Sequence, residues 1–232
     1  YTPFRRRDPS APLPSVSIIV PVADEKPVIF RRVLAALKRA AAGLDAEFFV
    51  VGNGAFSEES IAMAAAAGFR TLTLDEANKR QAIIAAATVA TKEIAVILDS
   101  DTIAGDDTLT LLLQHFDDPA VGGVVPQHAI FDKHGSLFRF FSHWFEDVRF
   151  NNTLRGLSAR DSVHCLPGRL IAVRLERVQH YAHDFLHQTM LGTHLITGDD
   201  RVLTSYLLRD GYRTLYDNRA TVLTDAPTTL QQ

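Results

Sequence analysis

Two pairs of carboxylates stand out by their spacing. Asp99 and Asp101 flank one serine just after the apolar run 94–98, and Asp199 and Asp200 are adjacent where a helical pattern begins. The first pair can divide its labour. One acid can hold a divalent cation, which takes one or two carboxylates plus substrate phosphates, and the other can hold a sugar hydroxyl. The second pair can cap the free N–H groups of its helix, or one member can take a proton from an attacking hydroxyl. A helix N-terminus lowers a carboxylate's pKa and weakens it as a base, whereas a neighbouring acid and a bound diphosphate raise it again. Arg201 is placed to tether one of the pair and leave the other free. Lys79-Arg80 opens another helical stretch, where backbone N–H groups and cations both favour phosphate. Taken singly, each of these groups reads equally well as a cap or a solvated loop, so the elements that position them have to decide.

Residues 94–98 are apolar without alternation, which marks a strand covered on both faces, as in a parallel sheet packed between helices. Sheets of that kind gather their chemistry just past the carboxyl ends of the strands, where Asp99 and Asp101 stand. Upstream, strand patterns at 16–22, 47–51 and 70–74 alternate with helical patterns at 26–42, 58–67 and 78–91. Gly43 and Gly68 close two of those helices, and Gly52-Asn53-Gly54 makes a tight turn. Four such alternations predict an α/β, right-handed doubly wound unit. A helix over 109–116 and a strand over 121–126 continue it. In the second half, 138–152 predicts one long helix whose six aromatics, at helical spacing, belong in the core rather than on a substrate platform. Residues 163–173 read as a strand interrupted at Pro167-Gly168-Arg169. Residues 199–208 read as a helix stopped by Gly211, and 214–216 and 220–223 as two short strands.

Composition narrows the function. A net charge of −3 gives no general attraction to nucleic acid, and the single cysteine, Cys165, excludes an internal disulfide framework. No run of about 18 apolar residues is present to span a bilayer. The first 14 residues read as a linker with a basic cluster, Arg5-Arg6-Arg7, which beside a membrane favours the cytoplasmic side. His183 and His187 have the i, i+4 spacing of helical zinc sites, but no fitting third ligand accompanies them. The absence of GxGxxG, Walker A and GxSxG patterns disfavours dinucleotide oxidoreductases, P-loop enzymes and α/β-hydrolases.

Taken in order, the motifs resemble the catalytic domain of a processive family-2 glycosyltransferase of the hyaluronan synthase and nodulation-type chitin-oligosaccharide synthase kind, with cellulose synthases more distant. The resemblance is carried by Ser17-Ile18-Ile19-Val20-Pro21-Val22 with Asp24-Glu25, by Lys79-Arg80 and by Asp99-Ser100-Asp101. It continues through Cys165-Leu166-Pro167-Gly168-Arg169 with Arg174, Gln188-Thr189-Met190-Leu191-Gly192, and Gly198-Asp199-Asp200-Arg201 with Leu203-Thr204. It ends in Gly211-Tyr212 and Thr224-Asp225-Ala226-Pro227. It implies a GT-A fold, Rossmann-like, with a mostly parallel central sheet and helices on both faces. It also implies a UDP-sugar donor, Mg²⁺ or Mn²⁺, a polysaccharide acceptor, and inversion at the anomeric carbon. On this reading 15–232 is a single domain, with a nucleotide-sugar half (15–127) and an acceptor half (128–232).

Carried over position by position, Asp101 binds the metal and Asp99 contacts the donor nucleotide. Pro21, Val22, Asp24, Glu25, Asn53 and Lys79 complete the donor site. Asp200 is the general base with Asp199 beside it, and Cys165, Gly168, Arg169 and Arg201 lie near the acceptor. Three departures accompany the resemblance. Asn53 stands where the family usually has the acid that reads uracil. The family's QxxRW motif is missing, expected a few residues beyond Gln232, and so are its flanking transmembrane helices. Both point to a domain cut from a longer membrane protein that works at the cytoplasmic face. Two alternatives stay open: a transferase that adds one sugar to a lipid or protein, and a catalytically degenerate subunit that only binds nucleotide-sugar.

Overall fold

The protein is represented by a computed structural model that describes residues 12–23, 25–54, 58–76, 78–131, 137–190, 193–194 and 198–224. The chain runs β1 (Val16–Val22), α1 (Pro27–Ala40), β2 (Ala46–Asn53), α2 (Glu58–Ala66), β3 (Arg70–Leu74), α3 (Lys79–Val89) and β4 (Ile94–Leu98). After β5 (Ile103–Ala104) and α4 (Thr108–Leu113) come β6 (Val121–Ile130), α5 (Leu137–Val148), a π-helical turn at Arg149–Leu154 and α6 (Arg155–Ser158). The remainder is β7 (Leu170–Arg174), α7 (Leu175–His180), α8 (Ala182–Leu186), the small pair β8 (Thr189–Met190) and β9 (Thr193–His194), α9 (Asp199–Arg209) and β10 (Arg213–Thr224).

Eight strands form one sheet in the order β3-β2-β1-β4-β7-β6-β10-β5. From β3 to β4 every pairing is parallel, as the repeated strand–helix alternation requires. Beyond β4 the sheet is mixed: β7 runs antiparallel to both β4 and β6, β10 pairs parallel with β6, and β5 closes the edge antiparallel. The unbroken apolar run of β4 has the expected cause. Ile94, Val96 and Leu98 enter one core with Phe30, Leu34 and Leu37 of α1 and Leu109 and Leu112 of α4. Ala95 and Ile97 enter a second core, on the opposite face, with Ile83 of α3, Val178 of α7 and Leu207 of α9. Because both faces are covered, the only way out of the middle of the sheet is over its strand ends, and the functional groups collect there.

Three local expectations are corrected. The aromatic stretch is not core: α5 buries none of its residues, and Phe140, Phe141, Trp144 and Phe145 are all more than half exposed. Regular helix also ends at Val148. The π-helical turn that follows shifts the register and carries Phe150 and Leu154 into the second core, with Phe150 against Tyr216 at 5.4 Å between ring centroids. Strand pairing in the 163–173 region begins only at Leu170, because Pro167 has no N–H to give and the following residues turn. The two short strands near the C-terminus are one twelve-residue strand, β10, whose register with β6 slips between Asp217 and Thr221. That polar bulge hid its continuity. Asp217, fully buried there, accepts from His115 Nε2 at 2.9 Å and from the Arg219 guanidinium at 2.7 Å.

Candidate active site

β4 ends under the loop that carries Asp99 and Asp101, and α3 starts beside it. Asn78 caps α3 by accepting from Gln81 N at 3.2 Å, and Asn53 Oδ1 in turn accepts the Asn78 N–H. The cap therefore fixes Lys79, whose Nζ lies 2.6 Å from Asp99 Oδ1 and 3.4 Å from Asp199 Oδ2. One ammonium thus joins the loop after β4 to the first turn of α9. Burial opposes the charge on Lys79, yet Asp99 and Asp199 together raise its pKa above the ordinary lysine value. Burial lifts Asp99 above the usual carboxylate range by more than Lys79 pulls it back, so its carboxyl holds a proton more tightly than a free aspartate does.

The Lys79–Asp99 pair forms part of the wall of two adjoining cavities. One, of about 300 Å³, is lined by Pro21, Ala23, Glu25, Asn53, Ser100 and Asp101. The other, of about 260 Å³, is lined by His128, Glu146, Arg149, Pro167, Gly168, Arg169, Asp199 and Asp200. Asp101 Oδ1 accepts from Thr102 Oγ1 at 3.2 Å. No cluster of three or more metal-type side chains occurs among the described residues. A single partly exposed carboxylate at a cavity wall still suits Mg²⁺ or Mn²⁺ whose remaining ligands come from a diphosphate and water.

Asp200 is held from several directions. Its Oδ1 accepts the backbone N–H of Arg201 at 2.7 Å, and its Oδ2 lies 3.7 Å from Cys165 Sγ. Burial, then the charge of Asp200, push the Cys165 thiol up, so it faces that carboxylate as a neutral S–H donor. Thr204 Oγ1 donates to the Asp200 carbonyl at 2.7 Å and accepts from Leu166 N at 2.9 Å, tying α9 to the 165–169 loop. Gly168 lets that loop approach closely, since a Cβ there would sit 3.3 Å from Asp200 Cβ. Gly198 precedes α9 at φ +76°, a conformation that glycine adopts without strain. Asp99 N donates to the Arg169 carbonyl at 3.0 Å, joining the loop after β4 to β7.

The sequence-based site therefore assembles in large part, with exceptions. Pro21, Glu25, Asn53, Lys79, Asp99 and Asp101 line the first cavity, and Gly168, Arg169, Asp199 and Asp200 line the second. Val22 does not take part through its side chain, which is buried in the first core because alternate β1 residues point that way. Asp24 lies outside the described residues. Arg201 is exposed and lines neither cavity, and it is its backbone, not its guanidinium, that donates to Asp200. Arg80, read with Lys79 as a phosphate group, is 2% exposed and donates to the Phe185 carbonyl and Gln188 Oε1, so it anchors α8 to α3. Sequence reasoning missed His128, Glu146 and Arg149. The last two are an i, i+3 ion pair at 3.7 Å, a charged break in the aromatic stretch that was the available signal. His128, one histidine inside a strand, gave none.

The family model described as "Glycosyltransferase like family 2" matches residues 14–232. Hyaluronan synthase 3 of Xenopus laevis is 35% identical over 133 residues, which is 57% of this chain and 24% of that protein. An N-acetylglucosaminyltransferase of Rhizobium leguminosarum bv. viciae is 27% identical over 228 residues, 94% of this chain and 53% of that protein. The chain thus spans from about a quarter to about half the length of these curated relatives. Among solved structures, the mannosyltransferase PcManGT from Pyrobaculum calidifontis, in complex with GDP-Man and Mn²⁺, aligns with a TM-score of 0.69 at 20% identity. It covers 96% of this chain and 60% of that one. This likeness bears on the fold, which is GT-A as the motifs implied. With a family model matched from residue 14 to the last residue, the chain belongs to glycosyltransferase family 2.

Proposed function

We propose that the chain is the catalytic domain of an inverting, metal-dependent glycosyltransferase that moves a sugar from a nucleotide-sugar to a growing polysaccharide. The observation that carries this reading is the double contact of Lys79, which brings the Asp99–Asp101 loop and the Asp199–Asp200 turn to adjoining cavities. The nucleoside diphosphate lies in the Pro21–Asn53–Asp101 cavity, formed within the nucleotide-sugar half (15–127). The acceptor enters from the Gly168–Arg169–Asp200 side, in the acceptor half (128–232). Asp101 holds the cation, with Asp99 kept at its post by Lys79 to meet the donor. A bound divalent cation supplies charge neutralisation for the departing diphosphate.

The chain's own groups do the rest. Asp200, oriented by Arg201 N and the Thr204 hydroxyl, takes the proton of the acceptor hydroxyl as that oxygen attacks the anomeric carbon from the side opposite the leaving group. One displacement without a covalent enzyme intermediate inverts that carbon. Cys165 and Arg169 border the acceptor's approach, with Asp199 beside the base. Asn53 offers a carboxamide where an acid would read uracil, so UDP and GDP are both to be tried as donor nucleotides. No helix among the described residues is long and apolar enough to cross a membrane. On this reading, attachment to the cytoplasmic face of a membrane comes through segments outside this chain.

Calorimetric titration of UDP and GDP, each with and without Mn²⁺, tests the reading. Mn²⁺-dependent binding of one of them, lost in Asp101→Ala, is expected. Asp200→Asn is expected to keep that binding and to lose sugar transfer in the full-length enzyme. Binding that ignores Mn²⁺ and Asp101, or full transfer by Asp200→Asn, refutes the assignments.

A further inference from the structure

The second cavity contains a group for which the reaction above has no use. His128, on β6, is 2% exposed, its ring centroid is 4.5 Å from that of Phe150, and neither ring nitrogen has a hydrogen-bond partner among the described residues. Native folds seldom leave a buried nitrogen unpaired, because it forfeits the bond it made with water. Buried Asp217 and Thr204 are bonded on several sides, and Arg213, whose Nε is unmatched, still donates through its two other guanidinium nitrogens. Among the described residues Glu146 Oε2 and Arg169 Nη1, on the same cavity, are unmatched as well, but only at His128 in that lining is every polar atom of the side chain buried without a partner. At His128 the two unmatched nitrogens belong to a ring that borders a cavity.

The chemistry of the missing partner follows from the surroundings. Burial, and then the guanidinium groups of Arg169 and Arg149, hold the imidazole well below its ordinary pKa, so at neutral pH it is uncharged. It then offers one N–H donor and one bare acceptor nitrogen. Charged parts of a ligand already have three cations, Lys79, Arg149 and Arg169, and three carboxylates, Glu146, Asp199 and Asp200, in the lining. A neutral donor–acceptor pair instead matches hydroxyl groups, which both give and accept. Depth selects whose hydroxyls they are. A growing chain needs an open way out, whereas a terminal hexose can end against a closed wall, and His128 is such a wall.

We propose that His128 forms the floor of a subsite for the hexose ring of the nucleotide-sugar donor and hydrogen-bonds to its ring hydroxyls. The subsite rests on the glycosyltransferase reading above and adds to it a residue that senses the sugar but not the nucleotide. His128→Phe keeps a flat ring against Phe150 and removes both nitrogens. Titrations in Mn²⁺ would compare UDP with UDP-N-acetylglucosamine, UDP-glucuronate and UDP-glucose, and GDP with GDP-mannose, alongside thermal melting.

In the variant, Kd for the free nucleotide is expected to stay within about twofold, Kd for the best nucleotide-sugar to weaken about tenfold, and Tm to hold or rise. His128→Gln, which keeps a donor and an acceptor, is expected to recover part of the loss. His128→Leu carries the same comparison if the Phe variant does not fold. Equal weakening for nucleotide and nucleotide-sugar would make His128 a structural group and overturn the proposal, as would unchanged sugar binding. Failure of UDP and GDP alike to bind the unaltered chain would instead remove the glycosyltransferase reading, and the subsite with it.

Discussion

Replacing Lys79 by methionine keeps the length and apolar stem of the side chain and removes only its charge. Two carboxylates lose their partner at once, Asp99 at 2.6 Å and Asp199 at 3.4 Å. At an effective dielectric of about 20, each contact is worth roughly 5–6 kcal/mol before desolvation is subtracted. Lys79 and Asp99 are both 32% exposed, which places the pair between surface ion pairs, worth about 0.2–1 kcal/mol, and buried ones, where removing one partner costs about 3–5 kcal/mol. A loss of about 2 kcal/mol at pH 7 is therefore expected. In urea melts with a slope of about 3 kcal/mol per molar, the midpoint falls by about 0.7 M.

The sign with pH is also fixed. Asp99 has a folded pKa above its unfolded one, so its ionisation costs the fold stability, and that cost appears as pH rises through the raised pKa. Without Lys79 that pKa climbs further. The variant's deficit should be largest at neutral pH and shrink on acidification towards the carboxylate range. Lys79 itself, raised above its unfolded value, contributes stability that persists until alkaline pH. A midpoint unchanged at pH 7, or a deficit that grows as the pH falls, would refute the bridging role assigned to this ammonium.

Two further outcomes can be measured directly. Gly168→Ala places a methyl group 3.3 Å from Asp200 Cβ and 3.7 Å from Oδ2. Sugar transfer in the full-length enzyme should fall at least tenfold while nucleotide affinity stays within about twofold, because a small displacement of a base is felt in the rate; unchanged kcat would show that the loop yields instead. For Asp217, burial alone would raise the pKa, but the hydrogen bonds from His115 and Arg219 hold it down to about 2. A depressed carboxylate gives stability above its unfolded pKa that is lost as pH falls towards the folded one. Asp217→Asn should thus cost about 2 kcal/mol above pH 5 and about half as much near pH 3; a deficit independent of pH would exclude the charge as its cause.

What could be read from the chain and what could not divide along physical lines. β1 and β4 were legible because residues buried on both faces leave unbroken apolar runs, and α1 because its apolar residues recur at helical spacing before Gly43. The direction of β7 was not, since a strand's own residues do not say which way its neighbours run. The aromatics of α5 revealed a helix with an apolar face, but spacing cannot say whether that face is covered, and here it is not. Arg80 looked like a surface cation because sequence shows its charge and not Phe185 packed beneath its guanidinium at 5.2 Å. At the cleft, the acidic pairs announced themselves by spacing. His128 did not, for what distinguishes it is the lack of a partner in space.

The ammonium shared by Asp99 and Asp199 makes the two carboxylates competitors for one charge. Any positive charge arriving near Asp99 weakens that carboxylate's claim on Lys79 and strengthens the claim of Asp199, one residue from the group assigned to deprotonate the acceptor. Donor loading would then be felt at the far end of the cleft through that shared charge, with no hinge or lid required.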